Sequence, residues 1–253
     1  MSRSSRAAQQ LIVALDVSTA AQALAMGRRL RGLVRTVKVG SALFTACGPD
    51  VIRRLRALGF GIMLDLKFFD IPSTVELSCR AAVRHRVTLL TVHASGQPEM
   101  LRAAVLGARD EARRLRMAPP VVLGVTVLTS VGAGTTQAVR AHVLALAARA
   151  AAAGCGGVVA SAHEAAAIRA RFGTRLRIVC PGVRPACATP VGAKGGAAGR
   201  PAAAARGDQR RVVGPGDALR RGADFLVVGR PITGSRDPRQ AARDILSVME
   251  AEG

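Results

Sequence analysis

The chain has 253 residues, 49% of them apolar, and carries 37 Lys and Arg against 16 Asp and Glu for a net charge of +21. That length and apolar content exclude wholesale disorder and suit one large α/β domain or two small ones with a substantial core. No apolar run reaches the roughly 18 residues of a membrane span, and the Ser-, Arg- and Gln-rich start, 1–10, lacks the pattern of a signal peptide. The sequence therefore reads as a soluble, cytoplasmic protein with a flexible N-terminal tail at 1–10.

Leu11 to Asp16 is a short apolar run ending in Asp, with Ser18 placed to cap a helix that reaches about Leu33. Arg35 to Gly40 reads as a second strand with Lys38 near its end, and Pro49 to Leu58 as a helix closed by Gly59. Phe60 to Leu66 reads as a buried strand that carries Asp65 and ends at Lys67. Pro72 suits the first turn of the next helix, which runs to about His85. A fourth strand, Val87 to His93, precedes a helix from Pro98 to Arg116 that Pro119 and Pro120 break. Further strands fall at Val121 to Val127, Gly157 to Ala160, Leu176 to Cys180 and Asp224 to Val228. Helices over Thr135 to Ala153, Ala162 to Arg171 and Pro215 to Arg221 lie between them, and a last helix covers Pro238 to Ala251.

Eight strands alternating with eight helices is the count of a single (β/α)8 TIM barrel over 11–253; a doubly wound sheet is the alternative. In a barrel, function belongs to the C-terminal ends of the strands. Asp16, Lys38, Asp65 with Lys67, His93, Thr126 with Thr129, Pro181-Gly-Val-Arg184 and Gly229-Arg230 all fall there, as a ring around one mouth. The segment from Ala186 to Arg206, nearly all Ala, Gly and Pro with isolated positive charges, is too long for an ordinary loop and is expected to be a mobile lid or partly disordered insertion.

The five cysteines, Cys47, Cys79, Cys155, Cys180 and Cys187, show no metal-binding spacing and read as reduced thiols. The positive charge invites a nucleic-acid reading, but the arginines are scattered through helices, Trp and Tyr are absent, and the Phe residues do not interleave with basic ones. No specific nucleic-acid site is expected. Against that arginine background only three lysines occur, Lys38, Lys67 and Lys194. A retained lysine points to a site that needs a compact, titratable ammonium, which guanidinium cannot supply.

On a regular strand, residues two apart share a face, so Asp65 and Lys67 project together, with Asp70 in the turn that follows. Burying one unpaired charge is costly, whereas alternating carboxylates and ammonium groups offset one another. Such a cluster is either a structural ion pair or a catalytic lysine flanked by tuned carboxylates. The loops after the seventh and eighth strands each bring Gly and Arg (Gly182 with Arg184, Gly229 with Arg230), in the place where barrels of this class hold phosphate. No Ser/His or Cys/His nucleophile pair, Rossmann glycines or P-loop appears, and His93 reads as a packed structural residue. The chemistry should be cofactor-free, metal-free and centred on lysine, acting on the far end of a phosphorylated substrate.

Several motifs in order closely resemble the orotidine 5′-phosphate decarboxylase family. They are Leu15-Asp16-Val17, Val37-Lys38-Val39-Gly40, Asp65-Leu-Lys67-Phe-Phe-Asp70-Ile-Pro-Ser-Thr74, Thr91-Val-His93-Ala, Val125-Thr-Val-Leu-Thr129-Ser130, Pro181-Gly-Val-Arg184-Pro, Gly207-Asp-Gln209 and Val227-Val-Gly-Arg230-Pro-Ile-Thr233. The resemblance implies a homodimeric barrel that converts orotidine 5′-monophosphate to UMP and CO2, the last step of de novo UMP synthesis, without metal or organic cofactor. It implies that Lys67 protonates C6 within a Lys38-Asp65-Lys67-Asp70 network and that Asp16 and Lys38 hold the ribose hydroxyls. Asp65 would sit near the departing carboxylate, and Asp70 and Thr74 would reach the neighbouring subunit's site. Thr129 would contact the pyrimidine, and Arg184, Gln209, Gly229 and Arg230 would close around phosphate and base.

The sequence departs from the family pattern between Arg184 and Gln209, where relatives have a short loop. Lengthening a flexible loop costs only about 0.6 kcal/mol per doubling, so activity should be retained. Two other readings remain open: a Mg2+-dependent sugar-phosphate decarboxylase or aldolase of the same superfamily, and a basic nucleic-acid-binding protein with a decayed site.

Overall fold

Strand alternation decides what this barrel encloses. In the computed structural model, which describes residues 3–128, 137–184 and 213–252, eight parallel strands close on themselves in sequence order. The first half of the chain gives α1 (Arg3–Gln10), β1 (Leu11–Ala14), α2 (Ala20–Leu30), β2 (Thr36–Gly40), α3 (Ser41–Cys47), α4 (Asp50–Ala57), β3 (Gly61–Phe68) and α5 (Pro72–Arg84). There follow β4 (Leu89–His93), α6 (Pro98–Arg114), β5 (Val121–Val125), α7 (Gln137–Ala152), β6 (Gly157–Val159) and α8 (Ala162–Phe172). The last elements are β7 (Arg177–Pro181), α9 (Pro215–Arg220), β8 (Phe225–Val228), α10 (Arg230–Thr233) and α11 (Pro238–Glu252). Pairing of Leu11, Ile12 and Val13 with Leu226, Val227 and Val228 closes the ring, which rules out the open, doubly wound sheet.

Period two sorts the strand residues into two cores. Leu11, Val13, Val37, Val39, Ile62 and Leu64 point outward into the large core under the helices. Ile12, Ala14, Met63, Leu89, Leu123, Val179 and Val227 point inward and fill the barrel's interior. Four described cysteines, Cys47, Cys79, Cys155 and Cys180, are free thiols. Burial pushes the thiols of Cys79 and Cys155 up to about 12, so they serve as core rather than as nucleophiles.

The structure changes several boundaries. The expected tail holds a helix over Arg3–Gln10: Ala7 is buried, the Arg35 N–H donates to the Ala8 carbonyl at 3.1 Å, and the helix lies against β1, β8 and α11. Thr19, not Ser18, caps α2 by accepting from the Gln22 N–H at 3.2 Å. The short helices α3 and α10 follow directly on β2 and β8, where no helix was expected. No helix among the described residues is long and apolar enough to cross a membrane.

Candidate active site

The inward columns change character along their length. Their N-terminal and middle positions are apolar, while the positions nearest the strands' C-terminal ends are Asp16, Lys38, Asp65, Lys67, Thr91 and His93. Of these, Asp16, Lys38, Asp65 and Lys67 line a cavity of about 690 Å³, floored by Ala14, Met63, Val125, Val159 and Val227. A pocket of that volume suits a ligand the size of a nucleotide.

Asp16, Lys38, Asp65 and Lys67 form one chain of ion pairs across β1, β2 and β3. Lys38 Nζ lies 3.0 Å from Asp16 Oδ1 and 3.6 Å from Asp65 Oδ2. Lys67 Nζ lies 3.0 Å from Asp65 Oδ1. Asp65 and Lys38 are each only 12% exposed at the side chain, so their charges are weakly screened and each depends on the other. Lys67, at 34%, is the member that opens most onto the cavity apart from Asp16. Gly40 leaves room for the cluster: a Cβ there would stand 3.0 Å from Lys38 Nζ.

Asp65 and Lys67 meet as the alternation predicts, but not on a regular strand. Leu64 pairs with Leu90 and Phe68 with Val92, so Asp65, Leu66 and Lys67 all oppose Thr91 alone. This bulge puts Lys67 in the left-handed region, φ 52°, which costs a non-glycine residue on the order of 1–2 kcal/mol. Thr91 compensates. Its buried hydroxyl accepts the Lys67 N–H at 2.9 Å and lies 3.0 Å from Asp65 Oδ1. Thr91 carries no titratable group, and in the sequence it stood only within the Thr91-Val-His93-Ala motif with no role of its own; that role became visible through the broken register.

From the ends of β7 and β8, Gly182, Arg184, Gly229, Arg230 and Pro231 line the same cavity. Gly182 has φ 79°, a conformation that favours glycine and turns the chain after β7 back toward the cavity. Val183 bridges to Val213, and the Arg184 N–H donates to the Val213 carbonyl at 3.1 Å. Arg184 and the return point at Val213 are thus joined directly. After β8, Gly229 leads into α10, the short extra helix that accompanies phosphate sites in barrels of this class. Thr129, Gln209 and the 186–206 insertion lie outside the described residues. Thr126 does not face the cavity: Val125 and Val127 take the inward positions, and its hydroxyl donates to the Val159 carbonyl at 2.8 Å.

Asp70 and Thr74 are not drawn into the Lys38–Asp65–Lys67 cluster within one chain. Asp70 is exposed and its Oδ1 accepts the following Ile71 N–H at 2.7 Å. Nearby in the chain, Phe69, Ile71 and Leu77 expose 62%, 63% and 67% of their surface, large apolar side chains at and beyond the start of α5. His93 packs edge-on to Phe69 at 5.5 Å; burial, and then the Lys67 ammonium, hold its imidazole below the ordinary value.

Comparison with known proteins places this geometry in context. The model of the Orotidine 5'-phosphate decarboxylase / HUMPS family matches residues 9–245. The chain is 43% identical over 246 residues to orotidine 5'-phosphate decarboxylase of Nitratidesulfovibrio vulgaris, covering 96% of this chain and 98% of the relative. It is 43% identical over 251 residues to the enzyme of that name from Syntrophotalea carbinolica, covering 97% and 96%. Among solved structures, the crystal structure of orotidine 5'-phosphate decarboxylase from Lactobacillus acidophilus superposes with a TM-score of 0.77 at 31% identity, covering 95% of this chain and 99% of that one.

Proposed function

Because the chain belongs to the orotidine 5′-phosphate decarboxylase / HUMPS family, we propose that it decarboxylates orotidine 5′-monophosphate to UMP and CO2 with Lys67 as the proton donor. The observation that carries this reading is the Lys67 ammonium, held 3.0 Å from Asp65 at the edge of a cavity that Arg184 and Arg230 also line. A substrate phosphate on the arginine side would direct its pyrimidine toward the lysine. When the C6–carboxylate bond breaks, its electron pair stays on C6 in the ring plane, where no enolate can spread it. A fixed ammonium aimed at C6 stabilises that pair and then transfers a proton to it, leaving neutral lysine for solvent to reprotonate. Arginine holds its protons too tightly for the second step.

The remaining residues take supporting roles in this reading. Asp16 and Lys38 hold the ribose hydroxyls, and Asp65 orients Lys67 beside the departing carboxylate. Thr129 contacts the pyrimidine; Arg184, Gln209, Gly229 and Arg230 bind phosphate and base. Asp70 and Thr74 complete the site of a second copy, docked through the apolar side chains around the start of α5. The reaction needs no metal or organic cofactor: both oxygens of Asp65 already face ammonium groups, where a Mg2+-dependent relative would need free carboxylates. The protein acts in the cytoplasm, in the last step of UMP synthesis.

The test is EDTA-treated protein incubated with orotidine 5′-monophosphate, following loss of ultraviolet absorbance. Turnover unaffected by EDTA is expected. Turnover lost to EDTA and restored by Mg2+ would favour the sugar-phosphate branch, and absence of turnover would reject the reading altogether.

A further inference from the structure

We infer that Thr91 is a positioning residue for the reaction, fixing both ends of Lys67 through one hydroxyl; this rests on the decarboxylase reading above. A hydroxyl has a single proton to donate. Thr91 Oγ1 accepts the Lys67 N–H at 2.9 Å, so its own proton is directed to Asp65 Oδ1, 3.0 Å away, which as a carboxylate can only accept. Asp65 Oδ1 in turn receives the Lys67 ammonium at 3.0 Å. The result is a closed ring: Lys67 backbone to Thr91, Thr91 to Asp65, Asp65 back to the Lys67 side chain.

The ring answers a specific problem of the backbone. Between the Leu64–Leu90 and Phe68–Val92 pairings, three residues of β3 oppose one residue of β4, so the Lys67 N–H lies outside the regular ladder. Lys67 also sits at φ 52°, a conformation that its own preferences do not maintain. The Thr91 side chain stands in for the missing ladder partner and passes its remaining proton to the carboxylate that aims the ammonium. Thr91 is fully buried and lines none of the cavity, so it acts through Lys67 and Asp65 rather than on substrate.

Valine matches threonine in shape and lacks the hydroxyl. Thr91→Val is expected to lower kcat by roughly 10²-fold, the scale of a reacting group displaced from its productive position, with KM and UMP affinity unchanged. Thr91→Ser, which restores the hydroxyl, is expected to recover turnover. A readout independent of turnover comes from the sequence, because lysine-selective 15N labelling gives backbone amide signals from only three lysines. The Lys67 signal, identified by its loss in Lys67→Arg, is expected to exchange its amide hydrogen faster in Thr91→Val and to regain protection in Thr91→Ser. Should Thr91→Val fail to fold, Thr91→Cys, with a weak thiol donor, takes its place with the same expected direction. Unchanged kcat and unchanged Lys67 exchange in the variant would overturn the inference, as would a Thr91→Ser enzyme as impaired as Thr91→Val. An inactive wild-type protein would instead reject the decarboxylase reading, and the exchange measurement would still decide whether Thr91 holds Lys67.

Discussion

The Lys38 ammonium occupies the space beside Gly40, 3.0 Å from where a Cβ at residue 40 would lie. Gly40 has φ −90°, so its backbone does not require glycine; the side chain of Lys38 does. Gly40→Ala should therefore fold normally, with Tm unchanged or slightly raised by the reduced freedom of the unfolded chain. Displacing Lys38 from Asp16 and Asp65 should lower kcat/KM roughly tenfold, the scale of one charge-assisted hydrogen bond. Steady-state kinetics beside a thermal melt checks both; a fall in Tm with normal kinetics would contradict the assignment of Gly40 to the site.

A second prediction concerns Leu77, 67% exposed on α5, the helix that follows the exposed Phe69 and Ile71. If these side chains dock a second copy, Leu77→Arg should sediment as a monomer. It should also lose turnover, by roughly 10²-fold, because Asp70 and Thr74 would no longer be presented to a neighbouring site. A monomeric variant with full activity would show that each site is complete within one chain.

The acidic side of the stability profile should depend on Glu111. This buried carboxylate on α6 accepts from Arg114 and from Arg84 of α5, and those hydrogen bonds hold it at about 2, below its ordinary 4.5. A carboxyl with a lowered folded-state value contributes stability that is fully present above its unfolded value and lost as pH falls through the folded one. Wild-type Tm should thus decline from about pH 4.5 toward pH 2, and Glu111→Gln should flatten that part of the curve. Parallel Tm profiles for the two proteins would place the stabilisation elsewhere.

Much of this was legible in the sequence. Period-two strands, Pro72 at a helix start and lysines standing out against arginine located β3, α5 and the Lys38–Asp65–Lys67 part of the cluster, whereas Asp16 rather than the expected Asp70 completes it within one chain. Three things were hidden, each for a physical reason. Helix α3 begins at Ser41 with Gly40, which offers no side-chain cap, at its N-cap, so no start signal precedes it. Helix α1 is polar in composition and owes its place to packing of residues such as Ala7 against distant elements. The bulge at Lys67 is a matter of register between two strands, which neither strand encodes alone; with it went the role of Thr91.

The central claim is that the Lys67 ammonium delivers the proton to C6, and substitution of that residue tests it most directly. Lys67→Ala and Lys67→Arg should each lower single-turnover decarboxylation of orotidine 5′-monophosphate by roughly 10³-fold or more, the combined scale of a lost proton donor and a lost preorganised charge. Both should still bind UMP through the arginine side of the cavity. A Lys67→Arg enzyme that decarboxylates at the wild-type rate would contradict the account, because its guanidinium keeps the charge but does not release the proton.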